Sequence, residues 1–148
     1  MAKEYFKAIV AVHALFIQDG KILMLRRANT GYEDGNYSVI AGHLESGEGL
    51  TRAMIREVKE ESGVDVEPAD LTLKTVVHRL DDREQLDFFF EIKQWNGSIK
   101  NMEPKKCDDL RWFSLDELPT NTIPYIKKAL HCYREEIFYS EIGFEKES

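Results

Sequence analysis

Three acids, Glu57, Glu60 and Glu61, have the types and spacing in this chain that most suggest chemistry. On a helix turning about 100° per residue they share one stripe, three and four positions apart. Like charges so placed repel, each pair by ~0.2–0.5 kcal/mol on an exposed helix. Spacing leaves two readings open. The stripe is either a solvated acidic face, relieved by Arg52, Arg56 and Lys59, or an oxygen-only site for a hard divalent cation. Mg²⁺ or Mn²⁺ suits the second reading, because carboxylates plus substrate phosphates are its usual ligands. His43 adds an imidazole, but no second His or Cys lies at zinc-like spacing.

The elements that must position these acids can be read from periodicity. Leu50–Ser62 is the clearest helix, with Met54, Ile55 and Val58 on its packing side and Gly63 as its stop. Phe6–Gln18 is nearly continuously apolar, as in a strand buried on both faces. Asp19-Gly20 then turns the chain into a second strand, Lys21–Arg27. Ala28–Asn36 reads as a loop and Tyr37–Ile40 as a short strand. Leu71–Leu80 and Gln85–Trp95 form two long β patterns, and Trp112-Phe113 a last short strand. Ile123–Phe138 is expected to be a second helix, on the recurrence of Ile123, Ile126, Leu130, Tyr133 and Ile137. The polar segment 139–148 is expected to fray. Strands mixed with two helices predict one α/β or α+β domain, residues 1–148, with a mixed sheet between helices.

Composition narrows the function classes. The chain has 148 residues, 20 Lys+Arg against 27 Asp+Glu, and a net charge of −7. Binding of a nucleic-acid polymer needs clustered cations, so that class is disfavoured. No apolar run is long enough to span a bilayer, and Met1–Tyr5 lacks a secretion signal. Cys107 and Cys132 have no redox spacing, so reduced thiols and a cytoplasmic location are expected.

The residues around the acidic stripe break the tie. Gly42, five residues, Glu48, seven residues, Arg56-Glu57-Val58, Lys59, Glu60-Glu61, Ser62 and Gly63-Val64 together form a complete Nudix box over Gly42–Val64. At roughly 5–10% per fixed residue type, such a coincidence is expected in fewer than about 1 in 10⁸ windows. The chain thus resembles the Nudix hydrolase family. The resemblance implies an α/β/α sandwich around a mixed sheet and hydrolysis of a nucleoside diphosphate linked to another moiety. It implies Mg²⁺ or Mn²⁺ held by Glu57, Glu60 and Glu61 and by the Gly42 carbonyl. Glu60 or Glu61 would be the general base. Arg56 would orient the box carboxylates, its alternative being a simple helix salt bridge, and Glu48 would support the loop–helix junction or the metal shell. Where many relatives have Pro-Gly-Gly, this chain has Ile40-Ala41-Gly42, so its loop is expected to differ slightly.

Substrate clues lie outside the box. Leu25-Arg26-Arg27-Ala28 resembles the region of MutT-type nucleoside triphosphate pyrophosphohydrolases where an arginine contacts phosphate, and Arg27 is the better match. Asn101–Cys107 and the segments around Trp112 and Leu118-Pro119 also resemble that group, with Glu103 as an extra metal carboxylate. Asn121 could read a base edge, since an amide both donates and accepts. Tyr37 and Phe90 could stack on a base or belong to the core. The leading expectation is a (d)NTP cleaved to (d)NMP and pyrophosphate. The alternatives are an ADP-ribose, nucleotide-sugar or dinucleoside polyphosphate hydrolase, or a non-catalytic nucleotide-sensing module. The Ile123–Phe138 helix has enough apolar surface to pack on the domain or on a second subunit, which leaves a homodimer open.

Overall fold

In the computed structural model, which describes residues 2–145, the other strands assemble around β1 (Ile9–Gln18). One edge of β1 pairs along its length with β6 (Glu84–Ile92), in parallel, from Ile9↔Gln85 to Phe16↔Ile92. The other edge is shared. Ala11–Ala14 pair with β4 (Ile40–His43), whereas Ile17 and Gln18 pair with β2 (Lys21–Arg27). Asp19 and Gly20 both take positive φ, which matches the tight turn to the strand twist. β2 carries β3 (Tyr37–Ser38) and β7 (Cys107–Ser114), while β6 carries β5 (Leu71–Leu80). The described residues thus form an eight-stranded mixed sheet, and β1 forks where β2 and β4 part.

Alternation along β1 sends side chains to two cores. Val12, Ala14 and Phe16 meet Ala53, Met54 and Val58 of α1 (Leu50–Ser62). Leu15 and Ile17 meet Ile126, Ala129 and Leu130 of α2 (Pro124–Arg134). The arrangement is therefore α/β/α, as the sequence predicts. Burying a side chain such as Leu130 or Ile126 contributes roughly 1.5–3 kcal/mol. The apolar face of α2 is buried against the sheet of its own chain.

Three expectations need correction. α2 stops at Arg134 and not at Phe138, because Glu136 turns into the left-handed region and the Ile137 amide donates back to the Cys132 carbonyl. Part of the segment expected to fray is ordered: Tyr139–Ile142 form β8, which pairs in parallel with β5, while 146–148 lie outside the described residues. Its entry is fixed by Thr75, whose hydroxyl donates to the Ile137 carbonyl at 2.9 Å. The last central strand is also longer than Trp112-Phe113, because β7 is held by a full register with β2. Among the described residues no helix is long and apolar enough to cross a membrane.

Candidate functional site

The fork in β1 places the start of the Nudix box between the two helix layers. Gly42 opposes Val12 and faces α1, while Ala41 and His43 face the other side. The reason for glycine at 42 is space. A Cβ there would lie 2.0 Å from the Glu57 carboxyl carbon. The φ at Gly42 is not positive, and Ala41 sits within β4 without a positive φ, so the Ala41 departure needs no unusual backbone.

α1 presents its acids toward this strand. The Glu61 carboxylate accepts a hydrogen bond from the Ala41 amide at 3.2 Å. Burial, followed by repulsion from Glu57 and Glu103, pushes the Glu61 pKa up to about 8. Burial also raises Glu57, against the pull of Arg56. Glu60 is the exposed member of the stripe. Arg56 acts as a fork. Its Nε and Nη2 donate to Glu48 at 2.7 and 2.9 Å, its Nη1 to Glu57 at 2.7 Å, and its Nη2 also to the His43 carbonyl at 3.3 Å. The hydrogen bonds to Arg56 hold the Glu48 pKa down at about 2. Glu48 also receives the Glu45 amide, which closes the loop before the helix.

Beside Glu61 opens a cavity of about 310 Å³, with Arg27, Thr30, Glu103, Lys106 and Cys107 among its walls. Arg27, at the end of β2, and Glu103, on the loop before β7, are thus brought to the box. Tyr37 and Asn121 are placed elsewhere. Tyr37 is buried in the α2-side core, edge-on to Phe113, and its hydroxyl donates to Asp109. Asn121 gives its side-chain amide to the Gly35 carbonyl at 2.7 Å and its own carbonyl to the Tyr37 amide, so it ties β3 to the loop before α2. Phe90 lies in the α1-side core.

The donor set fits a hard divalent cation. Two carboxylates with raised pKa values face one glycine strand, and Glu60 and Glu103 stand near enough to repel them. A cation would remove the repulsion that burial makes expensive. Among the described residues no three acid, His or Cys side chains already converge at metal-binding spacing. The residues that would hold an ion are Glu57 and Glu61, with Glu60, Glu103 and the Gly42 carbonyl as the further oxygen donors.

Sequence reasoning missed a second cavity, of about 180 Å³, on the α2 side of Ala41 and Gly42. Its walls include His13, Arg79, Arg83, Gln85 and Tyr125, and Arg27 borders both cavities. Its base is a buried network. Asp87 accepts from Arg79 Nε at 2.9 Å and Gln85 Nε2 at 2.7 Å. The Arg79 guanidinium stacks 3.7 Å above the Tyr125 ring. His13 lies with its Nε2 3.2 Å from the Tyr125 hydroxyl. Burial, more than any charge, drags the His13 pKa down to about 4. The one sequence signal for this network was polar residues inside otherwise apolar strands, His13 in β1 and Asp87 in β6.

With this geometry in view, the chain compares with known proteins as follows. The NUDIX domain profile matches residues 7–132. An NAD-capped RNA hydrolase NudC of Stutzerimonas stutzeri is 31% identical over 105 residues, 71% of this chain and 36% of that protein. An ADP-ribose pyrophosphatase of Methanocaldococcus jannaschii is 29% identical over 119 residues, 78% of this chain and 67% of that protein. The chain therefore spans little more than a third of the length of the first relative. A crystal structure of a MutT NUDIX hydrolase from Burkholderia pseudomallei superposes with a TM-score of 0.78 at 28% identity, covering 85% of this chain and 98% of that one.

Proposed function

This chain belongs to the Nudix family, and on that premise we propose that it hydrolyses the phosphoric anhydride of a nucleoside diphosphate linked to another moiety. The observation that carries the reading is a pair of cavities that share Arg27, one walled by Glu61 and the other by Ala41 and Gly42. A substrate with a group at each end of a diphosphate would occupy both, and its anhydride would lie beside Glu57 and Glu61. A bound Mg²⁺ or Mn²⁺ would neutralise phosphate charge and make an attacking water more acidic.

The chain's own residues have distinct tasks. Arg56 keeps Glu57 turned toward Gly42 and Glu48 under the loop, so the box carboxylates are preorganised. Arg27 and Lys106 offer cations to phosphate oxygens across the cavity from Glu61. Glu61 is the first candidate for the base that takes a proton from the attacking water, because it is the acid of the stripe that lines the cavity. Glu60 is the second candidate.

A (d)NTP cleaved to (d)NMP and pyrophosphate is the second reading, favoured by Arg27 and Lys106 on one cavity and by the MutT-type likeness of Leu25–Ala28. ADP-ribose and NAD-type dinucleotides belong to the first reading, and the names of two relatives support it. Product analysis after incubation with Mg²⁺ and a panel of (d)NTPs, ADP-ribose, NAD, nucleotide sugars and diadenosine polyphosphates tests both. Turnover of two-ended compounds well above (d)NTPs is expected. Preference for (d)NTPs would overturn the first reading. Nucleotide binding without turnover of any compound would favour a sensing module instead.

A further inference from the structure

The loop between β2 and β3, residues 28–36, is built around the side chain of Arg27. Its mouth closes on the Arg27 backbone, whose amide donates to the Asn36 carbonyl at 3.0 Å and whose carbonyl accepts from the Gly35 amide at 2.7 Å. Asn29, Gly31, Glu33 and Gly35 take positive φ, and the chain curls back onto the guanidinium. There Arg27 Nε donates to the Tyr32 carbonyl at 2.7 Å and Nη2 to the Thr30 hydroxyl at 3.1 Å, with the Tyr32 ring 5.3 Å away. Thr30 is held in turn by Asp34. The carboxylate accepts the Thr30 hydroxyl at 2.5 Å, closer than the Tyr32 carbonyl at 3.0 Å, and the Thr30 and Gly31 amides at 3.1 and 2.9 Å. The Thr30 hydroxyl first, and then the Gly31 amide, hold the Asp34 carboxyl below its usual pKa.

A guanidinium presents one forked edge through Nε and Nη2 and another through Nη1 and Nη2. The loop takes the first edge of Arg27 whole, and no acceptor meets the second among the described residues. The contrast with the other arginines near the cavities is direct. Arg56 gives its Nε and Nη2 to Glu48 and its Nη1 to Glu57. Arg79 gives its Nε to Asp87 and its Nη1 to Asp81 and the Tyr32 hydroxyl. Those two are saturated by carboxylates, whereas Arg27 borders both cavities with a forked edge open. Such an edge matches a pair of phosphate oxygens. A free arginine loses the turning of several bonds when it grips a ligand, and affinity suffers. Here the loop has already taken that loss on folding, so a diphosphate meets an edge that is set in advance.

We propose that Thr30 and Asp34 are positioning residues, which hold Arg27 by its Nε–Nη2 edge and leave the Nη1–Nη2 edge to take two oxygens of the substrate's diphosphate. Asp34 acts through Thr30, and Thr30 through Arg27. The proposal deepens the hydrolase reading and rests on it for the identity of the diphosphate as substrate. Its rival is a loop that Asp34 holds together for the fold alone, in which case its loss would act whether or not Arg27 were present.

The test is a double-mutant cycle on binding, read by isothermal titration with methylenediphosphonate, a diphosphate analogue that resists hydrolysis, in the presence of Mg²⁺. Arg27→Ala should weaken binding by about tenfold or more, as expected for lost charge-assisted hydrogen bonds. Thr30→Val and Asp34→Ala should each weaken it by about fivefold, the size expected from freeing one long side chain. Thr30→Ser keeps the hydroxyl and should bind as the parent does. Placed on Arg27→Ala, Thr30→Val and Asp34→Ala should change binding by less than about twofold, because the residue they act through is gone. Asp116→Asn, which removes an acid from the exposed pair with Arg134, should leave binding unchanged. A further loss of about fivefold in the Arg27→Ala background would make the loop's part structural and overturn the proposal. Parent-like binding by Thr30→Val or by Arg27→Ala would also overturn it. Because the readout needs no turnover, failure of the hydrolase reading is separable, and would show as an intact cycle with no hydrolysis of any compound in the substrate panel.

Discussion

The two sides of β4 carry opposite charge and handle it differently. On the α1 side, Glu57 and Glu61 are half-buried, and their pKa values rise chiefly by burial and then by repulsion among the acids, with Arg56 pulling against the rise at Glu57. On the α2 side, the buried acid Asp87 has its partners in place, Arg79 and Gln85, and what remains is surplus cation. One strand separates a site short of positive charge from a site that has it in excess. The contrast teaches that buried charge has two uses. Left unbalanced, it makes a site that a ligand must complete. Balanced internally, it becomes structure, and breaking it costs stability in place of activity.

Removing a charge from each side in turn breaks the comparison most directly. Glu61→Gln keeps the shape and the acceptor for the Ala41 amide but removes the base. Steady-state hydrolysis should fall by roughly 10²–10⁴-fold or more. Its melting temperature should hold or rise, since a repelling carboxylate is gone. Near-normal turnover would remove Glu61 from the mechanism. Asp87→Ala should do the reverse. It strands Arg79 in the interior and should cost about 3–5 kcal/mol in denaturant unfolding. An Asp87→Ala protein as stable as the parent would show that the network holds nothing together.

Titration sharpens the same contrast with smaller effects, because the two sides should fail at opposite ends of the pH scale. Glu61 rises from 4.5 to about 8 on folding, so the metal-free protein binds a proton there that the unfolded chain has lost. That stability is whole below pH 4.5 and drains away as pH rises through 8. His13 falls from 6.5 to about 4, so its contribution is whole above pH 6.5 and is lost as pH drops through 4. Mg²⁺ should correct the first loss alone. Thermal scans should show a larger Mg²⁺-induced stabilisation at pH 8 than at pH 5, with the acid limb untouched. An equal shift at both values would detach the cation from Glu61.

What was legible in the sequence follows from range. Gly42, Glu48, Arg56, Glu57, Glu60 and Glu61 fall within 20 residues, on a helix and the strand leading into it, so spacing alone sets them side by side. The helix was legible for the same reason. β8 was not, because its partner is β5 and no pattern within Tyr139–Ile142 announces a distant edge. The end of α2 was misplaced because Ile137 keeps the helical spacing, while a single left-handed residue, Glu136, takes it off the helix. Tyr37 and Asn121 have side chains suited to a base, but their hydrogen bonds go to Asp109 and Gly35. The His13–Tyr125 contact joins residues 112 positions apart. His13 alone reads as one polar residue in a buried strand, and only folding shows that it borders a cavity.

Gly42 and Ala41 provide the finest test, because they are adjacent, small, and face opposite sides. Gly42→Ala puts a Cβ 2.0 Å from the Glu57 carboxyl carbon and 2.2 Å from its Oε1, so that carboxylate must leave its seat. Its hydrogen bond to Arg56 then has to re-form elsewhere or break. Because the clash is with the end of a flexible side chain, the cost in stability should be small. The sharper sign is loss of both hydrolysis and Mg²⁺-induced stabilisation, since Glu57 can no longer stand against the strand. Ala41→Gly removes a methyl from the other side and adds backbone freedom in a strand, a cost of roughly 0.5–1 kcal/mol. It leaves the seat of Glu57 intact, so Mg²⁺ should still stabilise the variant. If thermal scans showed the two variants responding alike to Mg²⁺, the seat of Glu57 against Gly42 would not be what the cation needs.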